Sequence, residues 1–392
     1  MHNKRKKVCF FSSLYPPHLG GVERLTDLLA QKLALMDWQV SVVTSNTHAL
    51  AESEISNGVK LFRLPVLKLM DSRFPLPIPT KKSFSLLKEV SNEEPDIIVV
   101  NMRFYPLSLL GMCFAKKHRK PLVSYEHVSG HFTVNNPIFD WIGRAYEHFA
   151  SKLMKKNTDM FLSVSKSAGE WLRHFGIDCK GIVYNCIDET SIANYLNENQ
   201  FEKNSTRKTI VYAGRILKEK GLLDLVDAFL YLKNDLDSNQ KKYVQNLYLF
   251  IAGDGPLLPF LQKKLKNNSD IKLTGQLNYQ DTINLIAKCD IYILPSYYPE
   301  GLPTTLLEAG ILKKPVITSA MGGTEELIEH GINGIIIKTH SQEEISNAIM
   351  QLLENPDFAS QLANNLFLKV KNEFSAENSA KNLGAYLEEL IC

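Results

Sequence analysis

Glu300 and Glu308 stand eight residues apart in the stretch Y-Y-P-E-G-L-P-T-T-L-L-E-A-G, Tyr297 to Gly310, with no other charge between them. If both were helical, ~1.5 Å and ~100° per residue would put them ~12 Å apart along the axis and ~80° around it. That is too far to share one metal ion or one proton. Gly301 and Pro303 instead make Glu300 a loop residue, with Pro303 just before or at a helix start. The N–H groups of Thr304 and Thr305 then point outward, as an anion site needs. The order carboxylate, phosphate site, carboxylate fits a ligand with hydroxyls at both ends and phosphates in the middle. A sugar nucleotide has that form.

Three other stretches carry chemistry after apolar runs. Ala213–Gly221, A-G-R-I-L-K-E-K-G, places Arg215 and Lys220 between a strand and a helix. A guanidinium can bond a diphosphate bidentately and an ammonium adds a mobile charge. The same loop holds Lys218 and Glu219, so a solvated charged loop is an equal reading. Pro16–Glu23, P-P-H-L-G-G-V-E, follows the first strand and opens a helix. Its Gly20 and Gly21 let backbone approach an anionic ligand, or simply make a tight turn. It is not the G-x-G-x-x-G of dinucleotide folds. Ile251–Pro256, I-A-G-D-G-P, permits close approach of a ring or phosphate, and in isolation reads as a turn before a helix.

His127 follows a strand in S-Y-E-H-V, where a lone histidine is usually structural. His131 lies four residues on, but Gly130 interrupts any helix and no third metal ligand is evident, so zinc is rejected. Asp235-Leu236-Asp237 forms a D-x-D inside the polar run N-D-L-D-S-N-Q-K-K and reads as a solvated loop.

The elements that must position these residues alternate. Val8–Phe11, Gln39–Thr44, Asp96–Asn101, Leu122–Tyr125 and Met160–Val164 are strand candidates, with helical stretches such as Glu23–Met36 and Pro106–His118 between several of them. A second series runs Thr209–Tyr212, Leu247–Ala252, Ile271–Leu273, Ile291–Leu294, Pro315–Thr318 and Gly334–Ile337. Its helices are Leu222–Leu232, Leu257–Lys266, Tyr279–Lys288, Thr305–Leu312 and Thr324–Glu329. This is the pattern of βαβ units and parallel sheets. The reading is α/β, two Rossmann-like domains over 1–183 and 184–370, with a last amphipathic helix in 371–392 free to pack on either. Parallel sheets bind ligands at the carboxyl ends of their strands, and two facing each other would enclose an interdomain cleft.

The 392 residues suit about two domains. A net charge of +3 and the lack of any nucleic-acid motif argue against nucleic acid. The six scattered cysteines read as reduced thiols of a cytoplasmic protein. The apolar run near the N-terminus reads as a buried strand rather than a signal peptide, and no run reaches the ~18–20 apolar residues of a spanning helix. Basic clusters at Lys4–Lys7, Lys116–Lys120 and Lys152–Lys156 suit an anionic bilayer surface.

The ordered motifs P-P-x-x-G-G-x-E (16–23), G-R-x-x-x-x-K-G (214–221), G-D-G-P (253–256), P-S-x-x-P-E-G-L (295–302), E-A (308–309) and G-G-x-x-E-L-I (322–328) run over nearly the whole chain. With its E-x7-E spacing the chain resembles the retaining glycosyltransferases of family GT4, group 1, of GT-B fold. The resemblance implies a metal-independent hexosyl- or glycosyltransferase without cofactor, its first domain binding acceptor and its second nucleotide-sugar. Arg215 and Lys220 would bind the donor diphosphate, Glu300 the sugar hydroxyls and Glu308 the ribose. Gly20 and Gly21 would approach phosphates and sugar, Gly253 and the Gly275–Leu277 turn would lie near the base, Leu302 and Thr304 would line the donor site, and His127 would orient the sugar. A UDP-sugar is the favoured donor and GDP-mannose the alternative. The acceptor would be a saccharide or a polyprenyl-diphosphate-linked one, in bacterial polysaccharide, lipopolysaccharide or glycolipid synthesis, at the inner face of the cytoplasmic membrane. Two departures stand out: Asn185-Cys186 where the family often has Asn-Gly, and Leu302-Pro303 where it often has Phe-Gly. The rivals are a sugar-nucleotide epimerase of the same architecture and a catalytically silent sugar-nucleotide-binding subunit.

Overall fold

The computed structural model describes residues 5–391 except 19, 71, 134–135, 197–206, 235 and 237. The D-x-D carboxylates, Lys4 and Cys392 lie outside the described residues, as does much of the polar stretch 188–207. The chain divides into two compact units, one of residues 1–186 with 376–392, the other of 187–375.

The first unit holds strands β1 (Lys7–Phe11), β2 (Gln39–Ser45), β3 (Ser53–Ser56), β4 (Val59–Leu64), β5 (Val66–Leu69), β6 (Phe74–Pro77), β7 (Ile97–Asn101), β8 (Leu122–Glu126), β9 (Met160–Ser163) and β10 (Gly181–Ile182). Its helices are α1 (Gly21–Leu35), α2 (Lys81–Asn92), α3 (Pro106–His118), α4 (Pro137–Asn157) and α5 (Lys166–Leu172). Eight strands form one sheet in the order β10-β9-β8-β7-β1-β2-β4-β3, parallel except for the β3–β4 pair. β5 and β6 form a separate antiparallel hairpin. The central strands are apolar on both faces because helices cover both: in β7, Ile97–Val100 have no exposed surface.

In the second unit lie α6 (Glu189–Tyr195), β11 (Lys208–Ala213), α7 (Leu222–Asn234), α8 (Ser238–Val244), β12 (Leu247–Ala252), α9 (Leu258–Lys264) and β13 (Ile271–Gly275). There follow α10 (Tyr279–Lys288), β14 (Ile291–Leu294), α11 (Thr304–Ile311), β15 (Val316–Ser319), α12 (Thr324–Leu327), β16 (Ile335–Ile337), α13 (Gln342–Glu354) and α14 (Pro356–Glu373). The sheet is parallel throughout, in the order β13-β12-β11-β14-β15-β16. The last helix, α15 (Ala376–Ile391), belongs to the first unit. Its Ala380, Leu383 and Leu387 join Leu29, Leu33 and Trp38 in the core. Burying Leu383 and Leu387 contributes roughly 1.5–3 kcal/mol each.

Local signals set the helix starts. Thr80, Ser165, Asn278 and Ser341 each accept a backbone N–H in the first turn of α2, α5, α10 and α13. Pro106 and Pro137 open α3 and α4. α4 differs from an ordinary surface helix: Ile138, Phe139, Trp141, Ile142 and Phe149 are exposed. No helix among the described residues is long and apolar enough to cross a membrane.

Candidate active site

In each sheet the strand order reverses once, and there the loops at the carboxyl ends part and leave a crevice. In the second unit the chain runs outward from β11 through β12 and β13, then returns to β14 on the opposite side. The loops after β11 and β14 therefore emerge side by side. They carry Arg215 with Lys220, and Glu300.

Lys220 Nζ is ion-paired with Glu300 Oε1. Lys220 also lies over the Tyr298 ring, 5.4 Å from its centroid, and Ser296 Oγ donates to Glu300 Oε1 at 3.4 Å. The two residues, expected on separate parts of one ligand, are partners in the structure because the switch point makes their loops neighbours. Arg215 is exposed on the same loop, and its carbonyl accepts from Tyr212 Oη at 2.8 Å.

Pro303 is the cap of α11, at φ −65° and ψ 118°, and its carbonyl accepts from Leu306 N at 3.2 Å. The N–H that proline lacks is thus lost at the cap, and Thr304 and Thr305 supply the first-turn donors. Leu302, just before this turn, is 3% exposed. Glu308 is 1% exposed, a burial that its spacing did not predict. Tyr292, pushed well above its ordinary pKa chiefly by burial, also feels the Glu308 charge and bonds Thr305 through its hydroxyl.

The glycines after β12 act first on the fold. Gly253 has φ +139°, and a Cβ there would meet the Gly214 carbonyl oxygen at 1.8 Å. Gly255, at φ +157°, would meet that of Ile216 at 2.5 Å. Ile216 N donates to Asp254 O at 2.8 Å and Leu257 N to Ile216 O at 3.1 Å. The close approach expected of a ligand is made by the neighbouring Arg215 loop, which these bonds hold in place. Gly322 does the same for Glu300: its Cβ would meet the Glu300 carbonyl oxygen at 1.7 Å, and Gly323 N donates to that oxygen at 3.1 Å. Leu277 lies beyond β13, just before the Asn278 cap.

In the first unit the reversal falls between β1 and β7. Asn101 ends β7 and is 2% exposed; its Nδ2 donates to Ser12 Oγ at 3.1 Å and to Thr26 Oγ1 at 2.6 Å. Asn101 Oδ1, the remaining acceptor, lies 3.3 Å from His127 Nε2. His127 Nε2 is therefore the protonated nitrogen and Nδ1 the acceptor, buried with no partner among the described residues. Burial lowers the pKa of His127 to about 3, so its imidazole is neutral at physiological pH. Asn101, Ser12 and Thr26 carried no motif, which is why the sequence did not reveal them.

Gly20 caps α1 with extended backbone, and Gly21 is its first residue. A Cβ at Gly20 would meet Glu23 Oε2, the end of a flexible side chain, at 2.1 Å. The phosphate expected over Gly20 and Gly21 thus finds the Glu23 carboxyl folded back over the turn. Burial raises the pKa of Glu23 from 4.5 to about 7. The unfolded chain loses this proton first, so stability should fall as pH rises through the window from 4.5 to about 7, by on the order of 3 kcal/mol. Urea unfolding at about pH 5 and about pH 8 tests this. Glu23→Gln should flatten the decline, and an unchanged decline would refute the assignment.

The sequence offered no third metal ligand near His131, but the fold brings further histidines beside it. His148 on α4 and His174 in the turn after α5 join His131, their ligand atoms all within 4.8 Å of one another. Tertiary structure brings them together from well-separated positions.

Two family models match consecutive stretches: "Glycosyltransferase Family 4" over residues 19–191 and "Glycosyl transferases group 1" over 196–367. An uncharacterized glycosyltransferase of Methanocaldococcus jannaschii is 27% identical, over 99% of this chain and all of the other. The alpha-monoglucosyldiacylglycerol synthase of Acholeplasma laidlawii is 23% identical over 98% of this chain and 97% of its own. Among solved structures, Anabaena HepE in complex with UDP and glucose superposes with a TM-score of 0.75 at 18% identity, over 98% of this chain and all of that one. Two Rossmann-like units of parallel sheet with motifs at the strand ends, and two consecutive family matches, lead to one conclusion: this chain is a GT-B glycosyltransferase of the family 4, group 1 type.

Proposed function

We propose that the protein transfers a sugar, with retention at the anomeric carbon, from a nucleotide-sugar to a lipid-linked saccharide or glycolipid acceptor, and that a UDP-sugar is the donor. The observation that carries this is the Lys220–Glu300 pair at the switch point of the second unit, with Arg215 exposed on the same loop as Lys220. Arg215 and Lys220 take the diphosphate and offset charge on the departing nucleotide, so that the donor site needs no metal. Glu300, held by Lys220, accepts from the sugar hydroxyls, and Glu308 from the ribose. His127 Nδ1, an acceptor without a partner, takes a sugar hydroxyl. The leaving phosphate oxygen receives the acceptor proton on the face from which it departs, which gives retention. Preorganised charge of this kind contributes a large share of such catalysis.

Thermal-shift screening against UDP-, GDP- and ADP-sugars tests the donor, since bound donor raises the melting temperature by mass action. A UDP-sugar should give the largest rise. The anomeric configuration of the product, read by NMR, tests retention, and an inverted product overturns it.

Support for a lipid acceptor comes from the first unit. The apolar face of α4 is exposed, and Arg144, Lys152, Lys155 and Lys156 lie on the same helix. A cavity of about 510 Å³ beside it is lined by Phe74, Phe104, Phe132, Phe139, Ile142 and Tyr146. Such a helix suits an interfacial position at an anionic bilayer. The wild type should float with anionic liposomes at low salt, and the double variant Phe139→Glu/Trp141→Glu should not. If the wild type stays at the bottom of the gradient, the membrane reading fails.

A further inference from the structure

We propose that His131, His148 and His174 form a binding site for a divalent transition metal of the zinc class, in the first unit and independent of the donor site. Three imidazoles with one open position are a common ligand set for zinc. His148 Nε2 and His174 Nε2 are 3.3 Å apart. Two ligands ~2.0 Å from a tetrahedral ion are about 3.3 Å apart, so this pair already has metal-bound spacing. His131 lies within 4.8 Å of both, and its ring packs edge-on against the rings of Trp171 and His174. His148 and His174 are exposed, so small rotations can close the set.

A second observation points the same way. His131 Nδ1 lies 2.7 Å from Glu147 Oε2. A carboxylate on one ring nitrogen orients the other toward a metal and raises its basicity. Glu147 is itself held by Arg103, which also pairs with Glu126. Arg103 and Glu126 are 0% exposed and Glu147 is 3% exposed. Two carboxylates share one guanidinium there, leaving a net negative charge when all three are ionised. A cation on the histidines supplies the missing positive charge.

The metal would tie the loop before α4, the middle of α4 and the turn Arg173–Phe175 into one clasp. Glu126 Oε1 accepts from the N–H groups of His127 and Val128 at 3.1 and 3.3 Å, so the clasp also backs the segment that carries His127.

The test is calorimetric titration of untagged, EDTA-stripped full-length protein with Zn²⁺, beside His148→Gln and His174→Gln. Both substitutions are at exposed positions and should leave the fold intact, as circular dichroism and the metal-free melting temperature would show. The wild type should bind one equivalent, and each variant at least about 100-fold more weakly, since loss of a ligand exceeds the 10–100-fold typical of an outer partner. Co²⁺ should give intense tetrahedral visible bands in the wild type alone. Zn²⁺ should raise the wild-type melting temperature and leave the variants unmoved. Absence of stoichiometric binding, or equal binding by the variants, overturns the proposal and leaves three packed imidazoles.

Discussion

Lys220→Ala should lower kcat by about 10²–10³-fold, the range for removing one preorganised charge contact to the developing charge of a transition state. Two losses combine in it. The departing diphosphate loses an ammonium, and Glu300 loses the partner that holds it beside Ser296. Arg215→Ala should give a similar loss by removing a bidentate donor. Glu300→Gln separates the two effects, because it keeps the ammonium. Residues in contact couple, so the Lys220→Ala/Glu300→Gln pair should cost less than the sum of the single changes. The melting temperature without ligand should change little in Arg215→Ala, since Arg215 is exposed. The thermal shift given by UDP should shrink in both cation variants. If Arg215→Ala and Lys220→Ala both turn over at the wild-type rate, the donor-site assignment is wrong.

Arg103→Met should destabilise the first unit by about 3–5 kcal/mol, the cost of leaving buried carboxylates without their counter-charge. Arg103 is fully buried, pairs with Glu126 and Glu147, donates from Nε to Ser151 Oγ at 2.9 Å and lies 4.1 Å over the Phe175 ring. Against the roughly 5–15 kcal/mol of an ordinary domain, such a loss brings unfolding close to ambient temperature. The triple change Arg103→Met/Glu126→Gln/Glu147→Gln should recover much of it, because it removes the buried charge with its partner. Denaturant midpoints at unchanged slope measure both. Wild-type stability in Arg103→Met would mean that the carboxylates take up protons or water at little cost.

Much of the fold was legible because its signals are local. β12 and β14 are apolar runs of strand length, and they begin and end where the pattern places them. α3 and α10 likewise run from Pro106 to His118 and from Tyr279 to Lys288. α4 was not foreseen, because Trp141 and Phe149 point outward and blur the one-sided pattern by which a surface helix is recognised. β4 was missed although Val59, Leu61, Phe62 and Leu64 are buried; Lys60 and Arg63 interrupt the run. The Arg63 guanidinium finds partners in Ala51 O and Glu54, which no local rule foretells.

The types and order of the chemical groups follow from the amino-acid sequence: a cation pair after β11, a carboxylate after β14, a proline-capped helix, a histidine after β8. Their spacing along a strand or helix is a local property, and local geometry is set within a few residues. Which of them meet was decided by the strand order. Lys220 and Glu300 become an ion pair because the sheet reverses between β11 and β14. The same holds for Glu308, whose burial depends on what packs above α11. It holds for His127, whose neutral state comes from burial and whose tautomer is set by Asn101 on the next strand. Most plainly it holds for His131, His148 and His174, which lie on a loop, a helix and a turn and have no spacing in common. Burial, charge compensation and ligand geometry depend on distances in space, and chain separation does not encode those.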